Sequence, residues 1–320
     1  MRRGSLEYWP HRRAKKLMPR IRHWAKAAEP VLLGFIGFKA GMTHVMLIDT
    51  SNSSAKGTEI AQPVTVVEVP KVYVYGARLY AVDQNTGYKK VAAEIYDKQL
   101  AQNVGIKKPK RTQLSEAGNI GFSDLSLLAY VNPMGVGFGI KKLMRFEIAL
   151  GGSKEEKLAL AEKLLGKEVK VSDVFKPGDY VDVTSITKGK GWEGPVARFG
   201  VAKQRRKATG KVRHVGTLGP WHPPKVLYSV PMAGGLGHNY RTELNKRIMK
   251  IGSEKDTKEI NVSGGFPHYG VVRNDYLLVH GSIPGAPGML LRLRKSLRAK
   301  KQPAGEIKLT SISLRSKIGA

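Results

Sequence analysis

Cysteine is absent from all 320 residues, which excludes disulfides, thiolate zinc sites, iron–sulfur clusters and cysteine nucleophiles. A reducing compartment fits that composition. Acidic residues are scarce: 25 Asp and Glu face 55 Lys and Arg, for a formal net charge of +30. Asn and Gln together number only 16, a depletion shared with thermophilic proteins. Long apolar runs are missing as well. The longest, Val31 to Phe38, has eight residues and stops at Lys39, whereas a membrane-spanning helix needs about 20. The opening MRRGSLEYWPHRRAKK is basic without an apolar core, so it does not read as a secretory signal. Glu7 and Trp9-Pro10 make it a poor amphipathic transit helix. What is present is 41% hydrophobic residues, enough for a real core, in a chain whose length suggests about two domains. A soluble intracellular protein with an anionic partner is expected.

The charge is concentrated. Residues 1–29, 188–225 and 288–320 carry 28 basic and four acidic side chains, while the remaining 220 residues carry 27 and 21. A merely solvated surface would mix signs, because like charges repel and gain nothing in water. The pattern is that of an almost neutral body with three cationic segments suited to a polyanion. Arg205-Arg206-Lys207 and Arg292-Leu293-Arg294-Lys295 are expected to order only when phosphates neutralise them.

Along the chain, Val31–Phe38 and Thr43–Ile48 read as short strands around a Lys39-Ala40-Gly41 turn. Val64–Val69 and Val72–Tyr75 are strand-like runs split by Pro70. From about Ala77 to Gly166 the character changes, with lysines clustered at Lys107, Lys108 and Lys110. Ser153 with Glu156 predicts a capping box, Leu158, Ala161, Leu164 and Leu165 an apolar helix face, and Gly166 its stop. Strand character returns at Tyr180–Thr187, Val226–Val230, Val271–Val272, Tyr276–Val279 and Ile307–Leu314, with Arg273-Asn274-Asp275 as a hairpin turn. The result is a β-rich body with an α+β insertion and long irregular excursions, which are usually functional.

Catalytic chemistry is hard to find. Gly189-Lys190-Gly191-Trp192-Glu193-Gly194 matches G-x-G-x-x-G, but a dinucleotide site needs a helix next and an acidic residue about 20 positions on. Here Pro195 follows, and no acidic residue occurs until Glu243. The eight histidines are scattered, none at a short metal-ligand spacing. An RNA-modifying enzyme would need a cofactor pocket or a clustered acid/base set. A chromatin-type packer would need Lys/Ala-rich repeats or a basic recognition helix. The sequence holds none of these. Trp221 lies in Leu218-Gly219-Pro220-Trp221-His222-Pro223-Pro224, a rigid small-residue turn that cannot pack it. Something else must cover the ring, either an RNA base, at about 1–3 kcal/mol of stacking, or the protein body. Trp9 and Trp24 pose the same question, and Trp192 is assigned to a barrel corner.

GFIGFKAGMTHV (34–45), KGKGWEGPVARFGV (188–201), GPWHPPKVLYSVPMAGGLGHNYRTELNK (219–246) and GGFPHYGVVRNDYLLVHGSIPGAPGMLLRLRKSL (264–297) resemble the universal third protein family of the large ribosomal subunit. The opening RRGSLEYWPHRRAKK is similar to its archaeal branch. The match runs in order over nearly the whole chain and is weakest at Gln99–Leu128.

The resemblance implies a mainly β, α+β fold: a six-stranded translation-protein-type β-barrel with an α+β insertion, a long basic finger loop and basic terminal extensions. The expected division is a basic N-terminal extension over 1–30 and a barrel body from 31–76, 168–202 and 259–320. The insertion takes 77–167 and the rRNA-penetrating finger 203–258. In the family the finger tip approaches the peptidyl transferase centre, and here that tip matches Trp221, favouring RNA contact. The implied role is structural and non-enzymatic: binding and organising large-subunit rRNA and supporting assembly and translation. Expected rRNA contacts are Arg2, Arg3, Arg12, Arg13, Lys15, Lys16, Lys188, Lys190, Arg198, Lys203, Arg205, Arg206, Lys207, Lys211, Arg213, His214, Trp221, His222, Lys225, His238, Arg241, Arg292, Arg294, Lys295 and Arg298. No cofactor is expected beyond Mg or K ions associated with the rRNA. The partners are large-subunit rRNA and neighbouring ribosomal proteins, with one copy per cytoplasmic ribosome, no membrane and no small-molecule substrate.

Overall fold

The longest apolar run in the sequence becomes the N-terminal half of a long strand, β1, Gly34–Ile48. The computed structural model describes residues 8–50, 53–107, 121–137, 139–208, 212–298 and 307–315. The expected contacts at Arg2, Arg3 and Lys211 lie outside them, as do Lys108 and Lys110. The anticipated turn at Lys39-Ala40-Gly41 is instead a bulge inside β1, where the register shifts between Lys39 and Gly41. A bulge bends a strand without ending it. Lys39 is tolerated there because its Nζ donates to the carbonyls of Ile283 (2.7 Å) and Gly285 (3.1 Å). At Gly41 a Cβ would stand 2.5 Å from Phe266 Cδ1, so only glycine fits.

The chain forms two units: Met1–Leu17 with Ile186–Arg241, and Met18–Ser185 with Thr242–Ala320. In the second, β1 pairs antiparallel with β13 (Leu290–Lys295) along Gly34–Phe38, and with β2 (Glu59–Glu68) from Phe38 to Ile48. The path continues through β12 (Tyr276–His280), β11 (Tyr240–Gly252) and β8 (Tyr180–Ile186), which pairs with β13. Six strands thus form a closed ring, and β14 (Leu309–Ile312) adds to the far half of β1. Closure leaves these six strands no free edge. β11 is therefore a ring strand, although residues 240–252 were expected in the basic finger.

A second sheet has the order β4-β3-β5-β6, from β3 (Val72–Val82), β4 (Lys89–Tyr96), β5 (Asp124–Val131) and β6 (Met144–Ala149), with β7 (Glu168–Val169) on β3. Helix α1 (Lys98–Asn103) is capped by Asp97, which accepts from Gln99 N and Leu100 N. Helix α2 (Lys154–Leu164) forms where predicted, with the Ser153–Glu156 capping box in place and Ala161 buried. One apolar core runs from ring residues such as Phe35, Val183 and Leu277 to Val74, Leu127 and Ile148 of this sheet.

Several local expectations are corrected. Arg292-Leu293-Arg294-Lys295 is no unordered basic segment, because it is most of β13. Arg294 and Arg292 are 8% and 5% exposed. Arg294 pairs with the buried Asp182 (Nη2–Oδ2 3.0 Å) and donates to the His23 carbonyl. Arg292 donates to the carbonyls of Pro19 and Glu147 and lies over the Phe146 ring. Burial lowers its pKa to about 10, so it stays charged at neutral pH. Arg273-Asn274-Asp275 is not a hairpin turn but a loop tied to buried Glu68. That carboxylate accepts from Arg273 N, Asn274 N, Asn274 Nδ2 and Tyr269 Oη. Val272 bonds the side-chain amide of Asn261 rather than a strand partner. Val226–Val230 is no strand either; Pro223-Pro224 and Pro231 flank it and donate no N–H.

Candidate nucleic-acid interface

The first unit holds most of the charge imbalance: 17 basic against two acidic residues, leaving 38 against 23 for the second. Among the described residues, every ion pair lies in the second unit. Among the described residues, then, no cation of the first unit is held in an ion pair.

Its framework is a two-stranded ribbon, β9 (Gly189–Glu193) with β10 (Gly234–Gly237), and helix α3 (Pro195–Phe199). The first five residues of the G-x-G-x-x-G sequence are strand β9 and Gly194 is the N-cap of α3, so a five-residue helix does follow at Pro195, contrary to expectation; the motif pairs in the ribbon and does not form a phosphate-cradling loop. Arg198 closes the framework. It donates from Nε to Gly235 O (3.1 Å) and from Nη1 to Met232 O (2.9 Å). A Cβ at Gly234 would meet its guanidinium at 2.8 Å. Arg198, although predicted as an RNA contact, thus spends much of its fork on carbonyls.

The N-terminal arm is strapped to this unit through its backbone. Ala14 N donates to His238 O (2.7 Å), Asn239 Nδ2 to Arg12 O (3.3 Å) and Tyr240 Oη to Lys16 O (2.6 Å). Trp9 stacks on Phe199 at 5.8 Å, with Tyr228 and His11 edge-on. Arg241 lies over the Tyr8 ring at 4.1 Å. Trp9 is therefore answered by the protein itself. So is Trp24, in the second unit, which packs on Gly34. Burial, then the charges of Arg198 and Arg241, lower the His11 pKa below 6.5.

Because backbone atoms and aromatic rings hold the arm, its cationic side chains remain outside. Arg12, Arg13, Lys15 and Lys16 are exposed, as are Lys188, Lys190, Lys203, Arg205, Arg206, Lys207, Arg213, His214, His222 and Lys225. His238 and Arg241 are half-buried. Arg12, Arg13, Lys15 and His238 line a shallow, open groove of about 460 Å³. Residues 201–233 carry no helix or strand among those described. Trp221 is 88% exposed there, so the body does not cover it. Trp192 is 79% exposed on β9 and does not fill the expected barrel corner. In the second unit Lys295 is half-buried and Arg298 exposed.

Such an array can neutralise several phosphates at once, and its exposed indoles offer stacking faces. Sequence reasoning missed Tyr8, Phe199 and Tyr228, whose signal was an aromatic residue beside each basic stretch. It also missed the carbonyl partners, which no residue type marks. Among the described residues there is no cluster of His, Cys, Asp or Glu able to hold a metal, and no helix long and apolar enough to cross a membrane.

The family model for Ribosomal protein L3 matches residues 1–112 and 138–319. The large ribosomal subunit protein uL3 of Methanocella arvoryzae is 41% identical, over 99% of this chain and 98% of its own. That of Methanothrix thermoacetophila is 43% identical over 93% and 91%. The uL3 of Thermoplasma acidophilum is 44% identical over 99% and 98%.

Proposed function

Since the chain belongs to the ribosomal protein L3 family, we propose that it is a structural constituent of the large ribosomal subunit that binds and organises its rRNA. The observation that carries this is the first unit, with 17 basic and two acidic residues and no ion pair among those described. Each Lys or Arg that meets a phosphate releases a counterion, with a slope of about −0.7 to −0.9 in log K against log salt. Arginine bridges phosphates through its planar fork, and lysine acts as a point charge. Recognition is mainly of shape, since A-form grooves hide the base edges. In this reading the six-strand ring is the translation-type barrel, a platform from which the arm and the 203–241 excursion enter folded RNA. The excursion is the family's finger, and Trp221 at its tip stacks near the peptidyl transferase centre. The role is not enzymatic. One copy sits in each cytoplasmic ribosome among neighbouring large-subunit proteins, with Mg or K ions belonging to the rRNA.

Sucrose-gradient fractionation of the source cells, tracing the protein through a high-salt wash, tests this. Wash-resistant co-migration with large subunits at one copy each is expected. Release at moderate salt, or migration with light complexes, would remove the reading of an embedded component.

A further inference from the structure

The second unit holds a cavity of about 260 Å³ at one end of the ring that the cationic interface does not include. Leu47 and Met249, both buried, and Ile60 give it an apolar floor, while Asn245, Arg247 and His280 give it polar walls. Asn245, Arg247 and Met249 of β11 all line it. Arg247 is the unusual member. Its Nε is sealed from solvent and has no hydrogen-bond partner. A buried donor without an acceptor costs about 1–3 kcal/mol, more when charged. Native structures keep such groups rarely and for a reason.

That sealed nitrogen is beyond an incoming ligand's reach; what the cavity offers an outside acceptor is the Nη end of the same fork, which is neither sealed nor hydrogen-bonded, and the donors around it. Asn245 sits at φ 55 inside β11, a left-handed conformation rare for a side-chain-bearing residue. It is held there by Asp182 Oδ1 on its N–H (3.0 Å). Its amide oxygen accepts from Ser296 Oγ, which leaves the amide nitrogen as a donor to spare. Burial, with Lys246 and Arg247 nearby, lowers the pKa of His280 below 6.5. Asp49 is on the rim, its carboxylate accepting from Ser53 Oγ (2.7 Å).

We propose that this cavity receives one unstacked nucleotide of the RNA partner, its phosphate on Arg247, Asn245 and His280 and its base over Leu47, Ile60 and Met249. The inference rests on the RNA-binding reading above and names a contact outside the basic arm and finger. The volume falls just below the roughly 300–1,000 Å³ of small-molecule sites, which suits one nucleotide better than a folded peptide segment. Apolar floor with cationic wall matches base and phosphate in one residue. Single nucleotides splayed from loops are what proteins read in RNA.

The full-length protein, methyl-labelled, is titrated with cytidine and adenosine 5′-monophosphate, then with adenosine and with inorganic phosphate. The monophosphates should shift the methyl signals of Leu47, Ile60 and Met249, and adenosine or phosphate alone should bind at least tenfold more weakly. Arg247→Gln should lose tenfold or more, and Arg247→Lys should recover part by restoring the charge without the fork. An unchanged thermal midpoint in both variants separates lost binding from lost fold, and wild-type methyl shifts decide the matter if either variant unfolds. Absence of shifts with every monophosphate overturns the proposal. Shifts with an acetylated Glu-Glu dipeptide instead would assign the cavity to a protein partner. Salt-resistant co-migration of wild-type and Arg247→Gln protein with large subunits would show that the ribosomal reading stands even if the cavity proposal falls.

Discussion

Arg294 and Arg205 carry the same guanidinium into opposite environments. Arg294 is closed in beside Asp182, which also accepts from the backbone N–H groups of Asn245 and Leu297. Arg205 is exposed and without a carboxylate partner. Replacing Arg294 by Met strands a buried carboxylate, and urea denaturation should record a loss of about 3–5 kcal/mol. Arg205→Met should leave that curve in place. Trp221→Ala should likewise leave the thermal midpoint unmoved, since the ring is 88% exposed; a fall of several degrees would make it a core residue. The sequence could not separate these fates. It marked Arg292 and Arg294 as cationic, but the carbonyls of Pro19, His23 and Glu147 that hold them are backbone atoms. Only the folded chain brings those acceptors to β13.

At the scale of elements, what was legible depended on how local the cause was. Helix α2 could be read because its cap, apolar face and stop all lie within fifteen residues. β1 was read as two strands because a Lys-Ala-Gly triplet signals a turn locally. The partners that make it a bulge, the 283–285 carbonyls and Phe266, are far along the chain. β5 and α1 fall in the stretch where the family resemblance was weakest, and neither was anticipated. The basic arm was legible as charge but not as a strap, because its fastenings are aromatic packing and bonds to residues 238–240. That strap should respond to acid. His11 is held below its ordinary pKa by burial and by Arg198 and Arg241, so the unfolded arm binds a proton more readily than the docked one. The stability of docking is then complete above about pH 6.5 and declines as pH falls through that value. Hydrogen exchange at Ala14 N–H, corrected for its intrinsic rate, should accelerate between pH 7 and 5. His11→Phe should remove that dependence, and a flat profile in the wild type would refute it.

For the molecule as a whole, charge and stability are carried by different parts of the chain. Deleting 203–223 should leave the melting of the second unit unchanged, because the ion pairs among the described residues and the main apolar core belong to that unit. The deletion removes Lys203, Arg205, Arg206, Lys207, Lys211 and Arg213. The slope of log K against log salt for rRNA should therefore flatten by as much as about 4–5. A shifted melting curve, or an unchanged slope, would contradict this division. The ring has a further consequence for how the protein is made. β1 finds β13 only by pairing Gly34 with Arg294, nearly the full length of the chain away. A nascent chain emerges N-terminus first, so Val31–Phe38 leaves the ribosome long before the strand that covers its edge exists. Until synthesis passes Lys295, that apolar edge stays unpaired, a template for the wrong strand. A partly made chain therefore carries this open edge through most of its synthesis, and the ring closes only once β13 is available to pair with it.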